Sequence, residues 1–478
     1  MAELEPLQTI SPASDAAGHG LRRQLRLADL VLAQIVNVVG SSWVGVAAGL
    51  GHAQTLMWMG AMAVFYLPMA AAVIGLNRAM PLEGGLYVWA RRAFGDLAGF
   101  LTAWNLWIYS IAVTAVILYA IPTEFAYLIG PRAQWLPQNP WASFAVVALF
   151  TAAIMWVSVR GLALGKWIQN VGGSAMLIVF AILIALPLWA VIHSGSHAFA
   201  GTAGWSVALK TPAVNLRTMS LFGQMLFGAL CGLEYIAIFA GESEDPGRRI
   251  GQSVWIASPL ICAMFILGTT AVVAFVPAGK IDFIAPIPQT LRIALGNNGM
   301  GNVVAMTAII LVEVRLLGAT WMLFNGAARL PMAVGWDELL PAWFTRLDAR
   351  FKTPVNSIWC VGVLVLGMVA LASVGVHAQE TNQLLSNASL THYELTYLAM
   401  FAAPVAGAYW LRRQSPWWLK AACITGFAAT LFSLAISVFP YIDVADPAAY
   451  AAKIGGTVVL SNLVATAYFF SRRKRGQG

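Results

Sequence analysis

Apolar stretches of about 20 residues, set between short polar connectors, recur along nearly the whole chain. A run of that length is what a helix needs to cross the hydrocarbon core of a bilayer. No water is available there, so each backbone N–H and C=O must find its partner inside the segment. We count twelve such stretches, at about 26–50, 55–77, 96–128, 141–160, 166–193, 215–241, 252–276, 300–334, 353–374, 386–411, 416–438 and 452–471. Charged residues make up only 10% of the 478, against about 25% in a soluble domain. The fold class expected is an all-α polytopic membrane protein.

The net charge of +8 raises the question of nucleic acid, and the distribution of charge answers it. With the N-terminus placed in the cytoplasm, 21 of the 28 Lys and Arg fall inside and 6 outside, and Arg315 lies within a span. That bias is the positive-inside rule, obeyed with both termini cytoplasmic. The even number of spans agrees with it. The expected location is the plasma (inner) membrane, and the charge needs no nucleic-acid partner. Residues 1–24 are polar, lack the order of a signal peptide, and read as a disordered cytoplasmic tail. Cys231, Cys262, Cys360 and Cys423 lie inside spans at unrelated spacings, so no disulfide framework or metal site is expected.

Two spans are interrupted. Gly40-Ser41-Ser42 breaks the first, and the run from Gly228 through Cys231-Gly232-Leu233 to Glu234 breaks the sixth. Unwound backbone at membrane depth loses its internal hydrogen bonds at several kcal/mol per group. A matched pair of broken helices is the best sequence pointer to a midplane binding site in a transporter. Each break opens a block of five spans, and five is odd, so the second block enters from the opposite side. The expected organisation is a 5 + 5 inverted repeat over residues 25–413, two further helices over 414–471, and a basic cytoplasmic tail at 472–478.

These residues resemble the amino acid–polyamine–organocation permeases, which share the LeuT-type fold. Four places carry the resemblance. They are the Gly40-Ser41-Ser42 break, Pro81 with Gly84-Gly85-Leu86-Tyr87 and Phe94-Gly95, Gly232-Leu233-Glu234 with the exit Ala240–Arg248, and Arg329 with Leu339-Leu340-Pro341 and Thr353-Pro354-Val355. The resemblance implies secondary transport of amino acids or related amines by alternating access, without a cofactor. It places the selecting side chains on spans 3, 8 and 10, matched here by Thr114, by Thr320 with Trp321, and by the region of His392. Two departures stand out. Ser42 occupies a position the family usually gives to Gly, and Met176 stands where many sodium-independent members carry a lysine that replaces a sodium ion. Arg315 is a candidate for that missing charge.

The chemistry of the breaks fits a zwitterion. A half-helix starting near Ser42 presents free N–H groups and a positive dipole end to a carboxylate. One ending near Leu230 presents carbonyls to an ammonium. The expected substrate-binding set is Val39, Gly40, Ser41, Ser42, Trp43, Gly228, Leu230, Cys231 and Gly232 from the breaks, with Thr114, Thr320 and Trp321 as the resemblance implies. Close helix packing also explains membrane glycines one at a time; the matched pair favours a site.

Charged residues at membrane depth are expensive and face a partner or a water-filled path. Glu234, directly after the second break, reads as a proton carrier or as a neutral structural acid. Glu313 and Arg315 are two apart on one helix, face different sides and each need another partner. His392 and Glu394 are expected at the outer end of span 10, Glu124 at the interface, and Asp29 in an inner-gate ion pair. Glu234, Arg315, Glu313, Asp29 and His392 form the coupling and gating set. The partners expected are a small-molecule substrate, the lipid bilayer and protons.

Other classes fit less well. A polyamine carrier wants several acids at the site, and a nutrient sensor of this fold wants a long cytoplasmic domain. An embedded enzyme wants a nucleophile or a clustered His/Asp/Glu set. No phosphate-binding loop is present to support ATP-driven transport.

Overall fold

The computed structural model describes residues 27–80, 85–160, 165–194, 207–234, 246–332, 340–374 and 376–475. The N-terminal tail, Pro81–Gly84, the exit from the second break after Glu234, Leu339 and the last three residues lie outside the described residues, as does the side chain of Asp29. Among the described residues the structure is helical and contains no strand.

Among the described residues, nine helices are long and apolar enough to cross a membrane. They are α3 (Gly51–Ala79), α5 (Asp96–Ile129), α6 (Pro140–Val159), α7 (Gly165–Ser194), α9 (Pro246–Phe275), α11 (Gly299–Arg329), α12 (Val355–Ala372), α14 (Trp417–Ile436) and α15 (Pro447–Arg475). The other helices include α4 (Gly85–Phe94), which carries Arg91 and Arg92, and α10 (Pro286–Leu295).

Three further stretches fall outside that group for informative reasons. The first is split into α1 (Leu27–Val38) and α2 (Ser41–Ala48), with Gly40 extended between them at φ −97° and ψ 143°. The second, α8 (Leu216–Gly223), widens into a π-turn over Gln224–Gly228 and then stops being helical. The third, α13 (Ala378–Ala406), is long but polar, with Glu380, His392 and Glu394 in 29 residues. The interrupted helices and the polar helix converge on the same place.

Polar side chains tie the helices where apolar packing alone gives no direction. Gln34 of α1 donates to Ser253 of α9 at 2.8 Å, and Trp58 of α3 donates to Thr269 of α9 at 3.1 Å. Asn387 of α13 accepts from Gln224 at 2.8 Å while donating to the Ser437 carbonyl and the Tyr450 hydroxyl. Thr353 of the Thr-Pro-Val signature donates to the Val159 carbonyl at 2.8 Å, clamping the connector after α11 to the end of α6. In that connector two backbone N–H groups, of Phe351 and Arg350, hold the Asp348 carboxyl below its usual range.

Candidate functional site

A cavity of about 380 Å³ opens between the two breaks. Gly40, Ser41, Ser42 and Trp43 line it from the first, and Gly228, Cys231 and Gly232 from the second. No side chain caps α2, so its first-turn amides are the unpartnered donors that every helix start leaves. The residues that carry them, Ser41, Ser42 and Trp43, line the cavity.

Trp43 joins the two breaks. A methyl group on Gly40 would lie 2.5 Å from its Cδ1, and one on Gly228 would lie 2.6 Å from its Cη2. The indole therefore occupies the space two glycines leave free, and both breaks need glycine for that reason.

The second break is braced from behind. Tyr109 and Tyr393 stack at 3.9 Å, and Tyr393 and Phe227 each meet Tyr397 edge-on at 5.0 and 4.9 Å. The Tyr397 hydroxyl accepts from the Gly232 N–H at 3.0 Å and donates to the Glu234 carboxylate. Gly232 sits at φ +109°, where a side chain is strained. One tyrosine thus holds the N–H group and the acid that the unwinding frees. Tyr397→Phe leaves both buried without that partner, at about 1–3 kcal/mol each. We expect a thermal unfolding series to show a loss of about 2–4 kcal/mol for this variant, with reduced transport.

Three helices complete the walls with stripes of helical spacing. From α5 come Tyr109, Ser110, Val113, Val116, Ile117, Ala120 and Glu124. Arg315, Leu316, Ala319, Met322, Leu323 and Gly326 come from α11, and Asn382, Ser386, Ser389 and Leu390 from α13. Phe283, Ile284 and Tyr441 stand at one end. Beside them the Asp282 carboxylate accepts from the Ile284 and Ala285 N–H groups and from the Tyr127 hydroxyl. Burial pushes that carboxyl above its ordinary value, and the three hydrogen bonds pull the other way.

The cavity brings together Gly40, Ser41, Ser42, Trp43, Gly228, Cys231, Gly232 and Arg315 of the residues anticipated from sequence. Val39 and Leu230 are buried beside it. Thr114 and Thr320 are off the two stripes by one residue. Each turns its hydroxyl back onto its own helix, to the Ser110 and Leu316 carbonyls at 2.7 Å. Ser110 and Ala319 face the cavity where they were expected, while Trp321 packs on the other side of α11.

Glu234 is buried behind the break, tied to Tyr397, and is absent from the cavity wall. His392, Glu394 and Glu124 are placed differently from expectation. His392 and Glu394 sit at mid-helix, not at an outer end. His392 contacts the Ala388 carbonyl and Ser461 of α15, and Glu394 accepts from Ser433 of α14 at 2.5 Å. The polar first turns of α13, Ala378–Gln383, hid its true start from a hydropathy count. Glu124 is 1% exposed and lines the cavity instead of the interface. At 34 residues α5 is about 51 Å long, which exceeds the bilayer core, so a residue near its end can still lie inside the protein. Asn382, Ser386 and Ser389 were missed, although their i, i+4, i+7 spacing was legible.

Glu313 is 6% exposed, and its carboxyl neighbours that of Glu124, with Arg315 and Asp282 within electrostatic reach. Arg315 also backs onto α7. A methyl group at Gly172 would stand 3.7 Å from its Cα, and Met176, one turn further on, is fully buried.

Broken helices around a mostly apolar cavity within a bundle of apolar helices are the architecture of a multi-pass membrane transporter. A family model described as amino acid permease matches residues 25–460, and the chain belongs to that family. An uncharacterized transporter of Legionella pneumophila is 27% identical over 402 residues, covering 81% of this chain and 82% of its own. The probable agmatine/putrescine antiporter AguD of Lactococcus lactis is 23% identical, over 83% of this chain and 81% of its own. The crystal structure of MhsT in complex with L-phenylalanine shares the fold, with a TM-score of 0.57 at 16% identity, over 87% of this chain and 99% of that one.

Proposed function

We propose that the protein is a secondary-active carrier of an amino acid or a related amine, working by alternating access through the cavity between the two breaks. One observation carries this reading: main chain from both interrupted helices lies on the wall of a single cavity of about 380 Å³. Amides at the start of α2 suit a carboxylate, and carbonyls at the end of α8 suit an ammonium. Side chains of α5, α11 and α13 then select among substrates. The names of the relatives, an amine antiporter among them, support the substrate class.

In this reading the core is a 5 + 5 inverted repeat followed by two helices, held in the plasma membrane with both termini cytoplasmic. Transport is driven by protons or by exchange. Arg315 supplies the fixed positive charge that Met176 does not, and its packing against Gly172, one turn from Met176, supports that role.

The test is uptake of labelled amino acids and amines into proteoliposomes, with and without pH and sodium gradients. Accumulation of at least one of them, dependent on a pH gradient or on substrate inside and indifferent to sodium, is expected. Sodium-driven uptake overturns the coupling, and no uptake of any amino acid or amine by folded protein overturns the function.

A further inference from the structure

Glu124 is an acid that neither the breaks nor the helix contacts explain. Its side chain is 1% exposed, it lines the cavity, and its Oε2 has no hydrogen-bond donor. The neighbouring Glu313 carboxyl lies within hydrogen-bonding reach, but two ionised carboxylates can only accept, so the pair bonds only when one of them carries a proton. Among the described residues no other donor reaches the Glu313 oxygens.

The charges facing the pair can be counted element by element. From α11 comes Arg315, within reach of Glu124. Asp282, in the connector before α10, is already satisfied by two backbone N–H groups and Tyr127. Arg292 of α10 donates to the Tyr127 and Leu128 carbonyls at the end of α5 and to Asn302. Glu380 opens α13. The carboxyl pair itself thus faces one guanidinium, with Asp282 a further acid within electrostatic reach whose charge is spread over those two N–H groups and the Tyr127 hydroxyl. In a low-dielectric wall an uncompensated charge is strongly disfavoured. The Glu124, Glu313 and Arg315 group lacks one positive charge.

We propose that Glu124 and Glu313 form a cation subsite of the cavity, occupied either by one proton or by the ammonium group of an organic amine or cationic amino acid. The two occupants compete because either one completes the charge balance and both together exceed it. The proton sits between the carboxyls and leaves when the ammonium arrives, so cation entry and proton exit are linked. This deepens the transport reading above and rests on it: it names a positively charged group as the feature recognised at this end of the cavity.

The experiment is binding to the purified full-length protein, with putrescine and L-lysine as cationic probes and L-leucine as the neutral one, across pH 5.5 to 8.5. For the wild type, affinity for a cationic probe should weaken by about tenfold per pH unit at the acid end. Proton release into weakly buffered solution should accompany binding. Glu124→Gln removes the proton release and flattens the pH dependence; Glu313→Gln does the same, which keeps the test valid should one variant fail to fold. An unchanged pH dependence in a folded variant, or cation binding without proton release, overturns the subsite. Binding of L-leucine alone overturns it too but leaves the carrier reading standing. Binding of none of the three by folded protein counts against both.

Discussion

Gly228→Leu is expected to abolish transport, to below one-hundredth of wild-type uptake, in protein that still inserts in the membrane. The reason is steric and local. A single methyl at this position would already meet Trp43 Cη2 at 2.6 Å, Trp43 Cζ3 at 2.9 Å and Leu390 Cδ1 at 3.0 Å. A leucine must displace the indole, and the open space available to it is the cavity. Overpacking of this kind costs about 1–3 kcal/mol, which a membrane bundle tolerates, whereas a binding site filled by its own tryptophan does not work. Uptake measured beside the elution profile in detergent separates the two effects. Substantial uptake by Gly228→Leu would mean that the cavity beside Trp43 is not the route.

Arg315→Ala has the largest expected effect on stability. Removing it leaves Glu124 and Glu313 side by side with no guanidinium nearby, and breaking a buried charge arrangement by deleting one partner costs about 3–5 kcal/mol. The sign of the pH dependence follows. At high pH both carboxyls are driven toward ionisation and repel, so the loss is full; as pH falls they take up protons and the loss shrinks. Thermal unfolding should therefore separate variant from wild type more at pH 8 than at pH 5. Adding Glu124→Gln to Arg315→Ala should recover part of the loss, because neutralising a carboxyl removes the repulsion. A gap independent of pH would assign Arg315 a packing role only.

Much of the architecture was legible in the sequence because the bilayer permits so few solutions. The apolar stretches predicted helices that the structure contains, and the two glycine-bearing interruptions predicted where helical structure stops, at Gly40 and after Gly228. The cavity's backbone wall followed from those interruptions. Its side-chain wall was harder to read, since a shift of one residue turns a helix by about 100°. That is the distance between Thr114 and Val113, and between Thr320 and Ala319, and only packing decides which faces inward. The acids were misplaced for a different reason. Hydropathy sees the mean character of a stretch, so it truncated α13 at its polar start and put Glu124 outside because it lies near a helix end. A helix as long as α5 keeps such residues buried. Trp43 bridging two glycines is a tertiary contact across about 190 residues of chain, and no local pattern announces it.

Cys231 offers a direct test of where the substrate sits. It is a free thiol on the cavity wall, three residues past Gly228, and lies within the second break itself. In protein whose Cys262, Cys360 and Cys423 are replaced by alanine, a small methanethiosulfonate should modify Cys231 and stop transport. With the transported substrate at about 100 times its Kd, modification should slow at least tenfold. A modification rate at Cys231 that saturating substrate leaves unchanged would contradict binding between the two breaks.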